Sequence, residues 1–367
     1  MKKNKTALRK VPLLLLSALL AASVLAGCGE GGMIGPQTSG VAITLGKGDS
    51  YEATTFAMGT AVSQKVYGSD DGTKRSAITA ANKAISELED TTSWRKEGSA
   101  LVELNDKAGV SAVKIDNVTL ELLRLSLDVA EKTGGKFDPT ILPVSRLWNF
   151  SEHADIVPDA GEIAKSLKAV GYKDLQLNIK KSTALLKRPN GAVNLDAVGK
   201  GAGCDVAVNV YQTTGVSGGV VAVGGSVGVY GSKPDGSKWS IAVRNPNSDN
   251  PSASMGILSI SSGFVSTSGT YEQTFEQDGV TYHHILDPET GYPAETDLTS
   301  ATVHCGNGAL SDALSTACIL LGSEKAAALL SEYDAGGIFV TKDNRVIVTG
   351  PLKDDFVITA DGFTLQE

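Results

Sequence analysis

Apolar residues in this chain recur at two periods, and the two are sorted into blocks rather than interleaved. Residues 76–90 place Ile78, Ala81, Ile85 and Leu88 on one helical face. Asp116 and Asn117 offer N-caps for a helix through Leu122, Leu123, Leu127 and Ala130, which Gly134 and Gly135 stop. Asp159 caps a shorter helix with Ile163, Leu167 and Val170 inward. Residues 200–213 read as helical, and residues 309–333 as two helices broken near Gly322. Elsewhere the period is two. Leu175, Leu177 and Ile179 alternate with polar residues, and 219–230, 238–244, 256–267, 279–286 and 299–305 read as strands, with 336–349 a hairpin turning at Asp343 and Asn344. A doubly wound parallel sheet needs helix and strand in alternation, so this sorting favours the α+β class. No repeat with a period of 20–50 residues stands out, which argues against a solenoid.

The first 50 residues belong to neither pattern. Residues 1–10 are basic, residues 11–26 are apolar, and Leu25-Ala26-Gly27-Cys28 follows. That is the charged, apolar, small-residue order of an export signal. The apolar run is short of the roughly 20 residues a membrane span needs. Leu-Ala-Gly-Cys resembles the bacterial lipobox, which implies cleavage before Cys28 and lipidation of its thiol. The expected division is a lipoprotein signal peptide at 1–27, a lipidated Cys28 with a flexible Gly-rich tether at 28–50, and one catalytic body at 51–367. The expected location is the cell membrane, lipid-anchored on the extracytoplasmic face.

Charge narrows the partners. The net charge is -8, and Lys2, Lys3, Lys5, Arg9 and Lys10 all lie in the signal, so the body is more acidic still. No basic stripe with interleaved aromatics is present, and a nucleic acid is excluded as partner. Of four cysteines, Cys28 is the expected lipid site; Cys204, Cys305 and Cys318 form no CxxC pair and read as buried free thiols.

Four constellations carry chemistry. Asn194 through Gly203 (Asn-Leu-Asp-Ala-Val-Gly-Lys-Gly-Ala-Gly) precedes and enters a helix, whose N-terminal amides, with Lys200, favour a phosphate. It is neither a Walker A loop nor GxGxxG. Val223-Gly224-Gly225-Ser226-Val227-Gly228 reads either as a bulged strand or as a glycine surface beneath a ligand. Ser268-Gly269-Thr270-Tyr271 precedes His283-His284-Ile285-Leu286-Asp287-Pro288-Glu289-Thr290-Gly291, where His284 and Asp287 suit a proton acceptor and its partner. A Ser/His/Asp hydrolase would need a Gly-x-Ser-x-Gly elbow, which the chain lacks. Asp312 and Thr316, four apart on a helix, either present two oxygens to one hard cation such as Mg²⁺ or form a capped, solvent-facing helix start.

These blocks together resemble the ApbE family of FAD:protein FMN transferases. In order they are Met58-Gly59-Thr60, Gly135-Lys136-Phe137-Asp138-Pro139-Thr140, Ala197-Val198-Gly199-Lys200-Gly201, Gly224-Gly225, Ser268-Gly269-Thr270-Tyr271, His284-Ile285-Leu286-Asp287-Pro288 with Thr290-Gly291, and Asp312 to Thr316. The resemblance implies a fold related to the tunnelling-fold (T-fold) enzymes with FAD between two lobes. It implies FAD contacts at Met58, Trp94, Lys136, Phe137, Asp138, Asn194, Lys200, His284 and Ile285. It implies Mg²⁺ held by the Ala197 carbonyl, Asp312 and Thr316. Family members usually carry Asp where this chain has Asn194, and Asp or Asn where it has Ser226.

The implied reaction is Mg²⁺-dependent transfer of FMN from FAD to a Thr or Ser hydroxyl of an exported or membrane redox protein, with AMP released. Phosphoryl transfer asks mainly for positioning and charge stabilisation. Lys200 would assist the phosphates, and His284 or Asp287 would take the hydroxyl proton. Two other readings use the same residues: an FAD pyrophosphatase giving FMN and AMP, and a non-catalytic FAD-binding lipoprotein.

Overall fold

The computed structural model describes residues 42–366 other than 48, 153 and 154. Cys28, the signal segment and most of the expected tether lie outside the described residues. Ten strands form the largest sheet. In spatial order they are Ile43–Leu45, Tyr51–Ala57, Thr60–Tyr67, Gly218–Val223, Ser226–Gly231, Gly263–Gly269, Leu298–Cys305, Gly336–Thr341, Arg345–Thr349 and Thr364–Gln366. Neighbours run antiparallel except the final pair, which is parallel. Strands and helices are thus segregated as the α+β reading requires.

The period-two pattern gives the sheet two apolar faces. Along Gly218–Val223, Val221 and Val223 point one way, toward helices α1 (Asp71–Thr92) and α6 (Asp196–Thr214). Val220 and Ala222 point the other way, against a three-stranded sheet of Trp239–Arg244, Ser254–Ile260 and Phe356–Ile358. The remaining helices are α2 (Ala100–Asp106), α3 (Asn117–Lys132), α4 (Leu142–Trp148), α5 (Ala160–Leu167) and α7 (Gly308–Glu332). Helix α7 lies in the largest core with α2 and α3, sharing it with Leu298, Ala301 and Val303 of the sheet. Cys204, Cys305 and Cys318 are buried free thiols, as expected.

A smaller apolar cluster joins α4 and α5 to the hairpin Thr274–Gln277/Val280–His283. Trp148 is fully buried there; its ring stacks on Phe150 at 5.6 Å and its Nε1–H donates to the Gly291 carbonyl at 2.7 Å. That bond ties the turn after His284 to α4.

Several boundaries differ from the pattern reading. The run 219–230 is two strands, because Gly224 (φ 54°) and Gly225 form a two-residue turn that pairs Val223 with Ser226. The run 256–267 is also two strands, and they belong to different sheets. Helix α6 begins at Asp196 rather than 200. Three strands precede α1 that the pattern did not mark, and the first of them, Ile43–Leu45, falls within the expected tether and pairs with Tyr51–Ala53. Helix α7 does break at Gly322 (φ 76°, ψ 169°), and the 336–349 hairpin turns at Asn344 (φ 63°).

Candidate active site

Helices α6 and α7 approach so closely that only glycine fits between them. A Cβ on Gly201 would lie 1.9 Å from the Gly308 carbonyl oxygen, and one on Gly308 would lie 2.3 Å from the Gly201 carbonyl oxygen. The contact brings Asp312, one turn into α7, against the first turns of α6. Its Oδ2 accepts from the Gly201 N–H at 3.0 Å, and its Oδ1 lies 3.9 Å from Lys200 Nζ. Asp312 is buried, and its charge raises the pKa of Lys200 against the opposing effect of burial. Lys200 otherwise donates to the Asp196 carbonyl at 3.3 Å. Neither contact is a close ion pair, so its charge is available to an anion.

Hydroxyl groups lock the sheet to this helix. Ser268 Oγ pairs with Ser315 Oγ at 2.7 Å and with Thr316 Oγ1 at 3.1 Å. One pleat away, Ser266 Oγ donates to Ser226 Oγ at 3.0 Å and pairs with Ser311 Oγ at 2.8 Å. Ser226 thus joins the Gly224-Gly225 hairpin to α7 through Ser266. The hairpin itself sits beside Lys200: a Cβ on Gly224 would lie 3.2 Å from Lys200 Cδ and 3.0 Å from Thr60 Oγ1.

Met58 and Gly59 (φ 52° and 69°) form the tight turn between the strands ending at Ala57 and starting at Thr60. The Met58 sulfur would be 3.2 Å from a Cβ on Gly203, so the thioether lies over α6. The Asn194 N–H donates to the Pro139 carbonyl at 3.0 Å. Next to it, Asn105 of α2 clamps Val193, accepting from its N–H at 2.7 Å and donating to its carbonyl at 3.0 Å. These bonds fix the segment that leads into Ala197 and Lys200.

His284 follows the hairpin strand Val280–His283. Its Nδ1 lies 2.9 Å from the Glu272 carbonyl oxygen. A carbonyl only accepts, so Nδ1 carries the proton and Nε2 keeps its lone pair. Burial, helped by the positive charge of Lys200, pulls the pKa of His284 down to about 4, which leaves the ring neutral at pH 7. His283 turns elsewhere, with Nε2 3.3 Å from the Ala294 carbonyl.

Asp287 is occupied differently. Its Oδ2 accepts from Lys136 Nζ at 2.9 Å and its Oδ1 from the Glu289 N–H at 2.9 Å. Lys136 also reaches Glu289 at 2.7 Å; burial pulls its pKa down, but the two acidic partners raise it overall. Asp138 is buried and spends its oxygens on the chain: Oδ1 accepts from the Thr140 N–H and hydroxyl, Oδ2 from the Tyr172 N–H at 2.8 Å. Burial raises its pKa against those bonds. Phe137 and Ile285 put their side chains into the main core. Trp94 donates its Nε1–H to Asp196 Oδ2 at 3.0 Å, with the Arg95 guanidinium 3.8 Å from its ring centroid.

Three acidic residues here escaped the sequence reading. Asp196 holds Trp94 and lies 3.5 Å from Arg95. Glu272 supplies the carbonyl for His284, while its carboxylate, raised in pKa by burial, lies 3.6 Å from Arg244. Asp205 accepts from the first amides of α7, Gly308 at 2.7 Å and Ala309 at 2.8 Å. A lone acid on a helix or turn has no sequence signature; only the packing of α6 on α7 marks Asp205.

Comparison with known proteins bears on the family and the fold. The model of the ApbE family matches residues 58–339. A Treponema pallidum protein named FAD:protein FMN transferase is 30% identical, over 86% of this chain and 91% of its own length. One of the same name from Klebsiella pneumoniae is 30% identical over 90% of this chain and 93% of its own. The crystal structure of the Thermotoga maritima ApbE protein superposes with a TM-score of 0.77 at 30% identity, covering 83% of this chain and 99% of that one. The Vibrio cholerae flavin transferase ApbE gives 0.71 at 26% identity, covering 86% and 98%. With the family model matched over residues 58–339 and relatives 30% identical over most of its length, the chain belongs to the ApbE family.

Proposed function

We propose that this chain transfers FMN from FAD to a Thr or Ser hydroxyl of an exported or membrane redox protein. The hydroxyl oxygen forms a bond to the FMN-side phosphorus, the bond from that phosphorus to the bridging oxygen breaks, and AMP leaves with the electron pair. The observation that carries this reading is His284, its Nδ1–H fixed on the Glu272 carbonyl, together with the contacts of Asp312 to the Gly201 N–H and Lys200. The free Nε2 of His284 is the proton acceptor for the hydroxyl. Asp287, already held by Lys136 and its own turn, is the weaker candidate. Lys200 places a fixed positive charge where the pyrophosphate gains negative charge. FAD between two lobes is supported by the charge of Lys200 on α6 acting on His284, which follows a hairpin strand of the cluster around Trp148.

The donors fit Mg²⁺. Among the described residues no group of three or more His, Cys, Asp or Glu is placed to hold a metal ion. A single buried carboxylate with neutral oxygens is the set Mg²⁺ accepts when phosphates and water complete its shell. Asp312, the Thr316 hydroxyl and the Ala197 carbonyl would hold it, and the bound ion would neutralise pyrophosphate charge. The Leu25-Ala26-Gly27-Cys28 segment supports a lipid anchor on Cys28 and work on the extracytoplasmic face of the cell membrane.

The test mixes the protein with FAD, MgCl₂ and a flavin-acceptor domain and reads a denaturing gel under ultraviolet light. The expected result is a fluorescent acceptor band that is lost with EDTA and in Asp312→Ala. A band that survives both would remove the metal assignment. FMN and AMP in solution with no band on two different acceptors would make the protein a pyrophosphatase, and intact FAD would make it a binder.

A further inference from the structure

The contact between α6 and α7 has a two-way pattern that the catalytic reading does not use. Gly201 and Asp205 are one turn apart on α6, and Gly308 and Asp312 are one turn apart on α7. The Gly201 N–H donates to the Asp312 carboxylate at 3.0 Å. In return, the Gly308 and Ala309 N–H groups donate to the Asp205 carboxylate at 2.7 and 2.8 Å. The two glycines leave no room for the helices to slide, since their backbones already touch.

We infer that Asp205 is a positioning residue for the cation site: by gripping the first two amides of α7 it sets the depth at which Asp312 and Thr316 face the start of α6. This rests on the reading of Asp312 and Thr316 as Mg²⁺ ligands. Asn307 already caps α7 in the ordinary way, accepting from the Leu310 N–H at 2.8 Å. An acid reaching across from another helix is therefore more than α7 needs to begin. Asp205 also sits within the field of Asp312: burial first, and that neighbouring charge after it, push its pKa up to about 6, against the two amide bonds. The two acids repel each other, and a cation at Asp312 would relieve the repulsion. Coupling of this kind is reciprocal, so Mg²⁺ should in turn tighten the grip of Asp205 on α7.

The experiment measures Mg²⁺ affinity by titration calorimetry on the whole protein without FAD, for wild type, Asp205→Asn and Asp312→Ala. Asparagine keeps one acceptor but loses the charge and the second acceptor. The expected result is a folded Asp205→Asn protein whose Mg²⁺ Kd is weaker by tenfold or more. Its FAD binding without Mg²⁺ should stay within about twofold of wild type, as coupling through the cation requires. A purely structural role would lower the melting temperature and leave the Mg²⁺ Kd unchanged. Wild-type affinity in Asp205→Asn, with binding lost in Asp312→Ala, would overturn the inference and leave the metal reading standing. Unchanged Mg²⁺ affinity in both variants would remove the metal reading itself. Should Asp205→Asn not fold, amide hydrogen exchange in the wild-type protein decides. Exchange at Gly308 and Ala309 should slow at least threefold on saturation with Mg²⁺, and equal rates with Mg²⁺ bound would overturn the inference.

Discussion

A single imidazole shows how burial sets the chemistry of this site. Unfolded, His284 titrates near 6.5; folded, it titrates near 4, because burial and the charge of Lys200 both oppose protonation. A depressed folded pKa contributes stability that is present above the unfolded value and is lost as pH falls through the folded one. The window therefore runs from about pH 6.5 down to about 4, and the full shift corresponds to about 3 kcal/mol. Asp205 has the opposite sign: its pKa is raised to about 6, so its contribution is present below 3.8 and lost as pH rises through 6. Replacing His284 by Gln removes the first effect and keeps the second. His284→Gln is expected to lower kcat by roughly 10²–10⁴, with FAD binding within a few-fold of wild type. Its urea midpoint should also fall less than that of wild type between pH 6.5 and 4. Wild-type turnover in this variant would remove His284 as the proton acceptor.

Between elements, the decisive contact is that of α6 with α7. Overfilling a packed core usually costs about 1–3 kcal/mol, because side chains can shift to make room. At Gly201 the obstacle is the Gly308 carbonyl 1.9 Å away, which is backbone and has no rotamer to change. Gly201→Ala is therefore expected at or above the top of that range, read as a lower melting temperature and a lost Mg²⁺ requirement for any residual turnover. Gly199→Ala, with nothing within 4 Å of its Cβ, is the stability control. Equal melting temperatures for the two variants would mean the helices are not locked here. None of this was legible in the sequence, where Gly199, Gly201 and Gly203 look alike. The sequence did reveal the break of α7 at Gly322 and the turn at Asn344, since each needs a backbone that few residues adopt. It hid the Gly224-Gly225 turn inside a continuous apolar run, because both strands flanking it are buried on both faces. The strands before α1 were hidden for a different reason: Thr and Glu at half-exposed positions blur their alternation.

On the scale of the whole molecule, the question is which part of it would hold it to a membrane. Helix α7 is long and apolar enough to cross one. Yet Ala313, Leu314, Ala317, Cys318 and Ile319 are all fully buried in the main core, and Asp312 and Thr316 on the same helix belong to the site. Drawing α7 into a bilayer would dismantle the catalytic centre, so its apolar character is that of a core helix. The proposed attachment then rests on Cys28, whose surroundings carry the lipobox pattern. Stable anchoring takes more than one acyl chain, because a single chain binds only marginally. The sheet, both helices of the contact and His284 all lie within residues 42–366, so the proposed site is expected to work without the anchor. Cys28→Ala, expressed in a bacterial host that processes lipoproteins, is expected to leave the membrane fraction and to flavinylate an added acceptor in solution at the wild-type rate. Palmitate labelling of the wild-type protein should vanish in the same variant. Retention of Cys28→Ala in washed membranes would show that some other part of the chain holds it there. Loss of turnover in the released protein would show that the anchor serves the active site and not only its address.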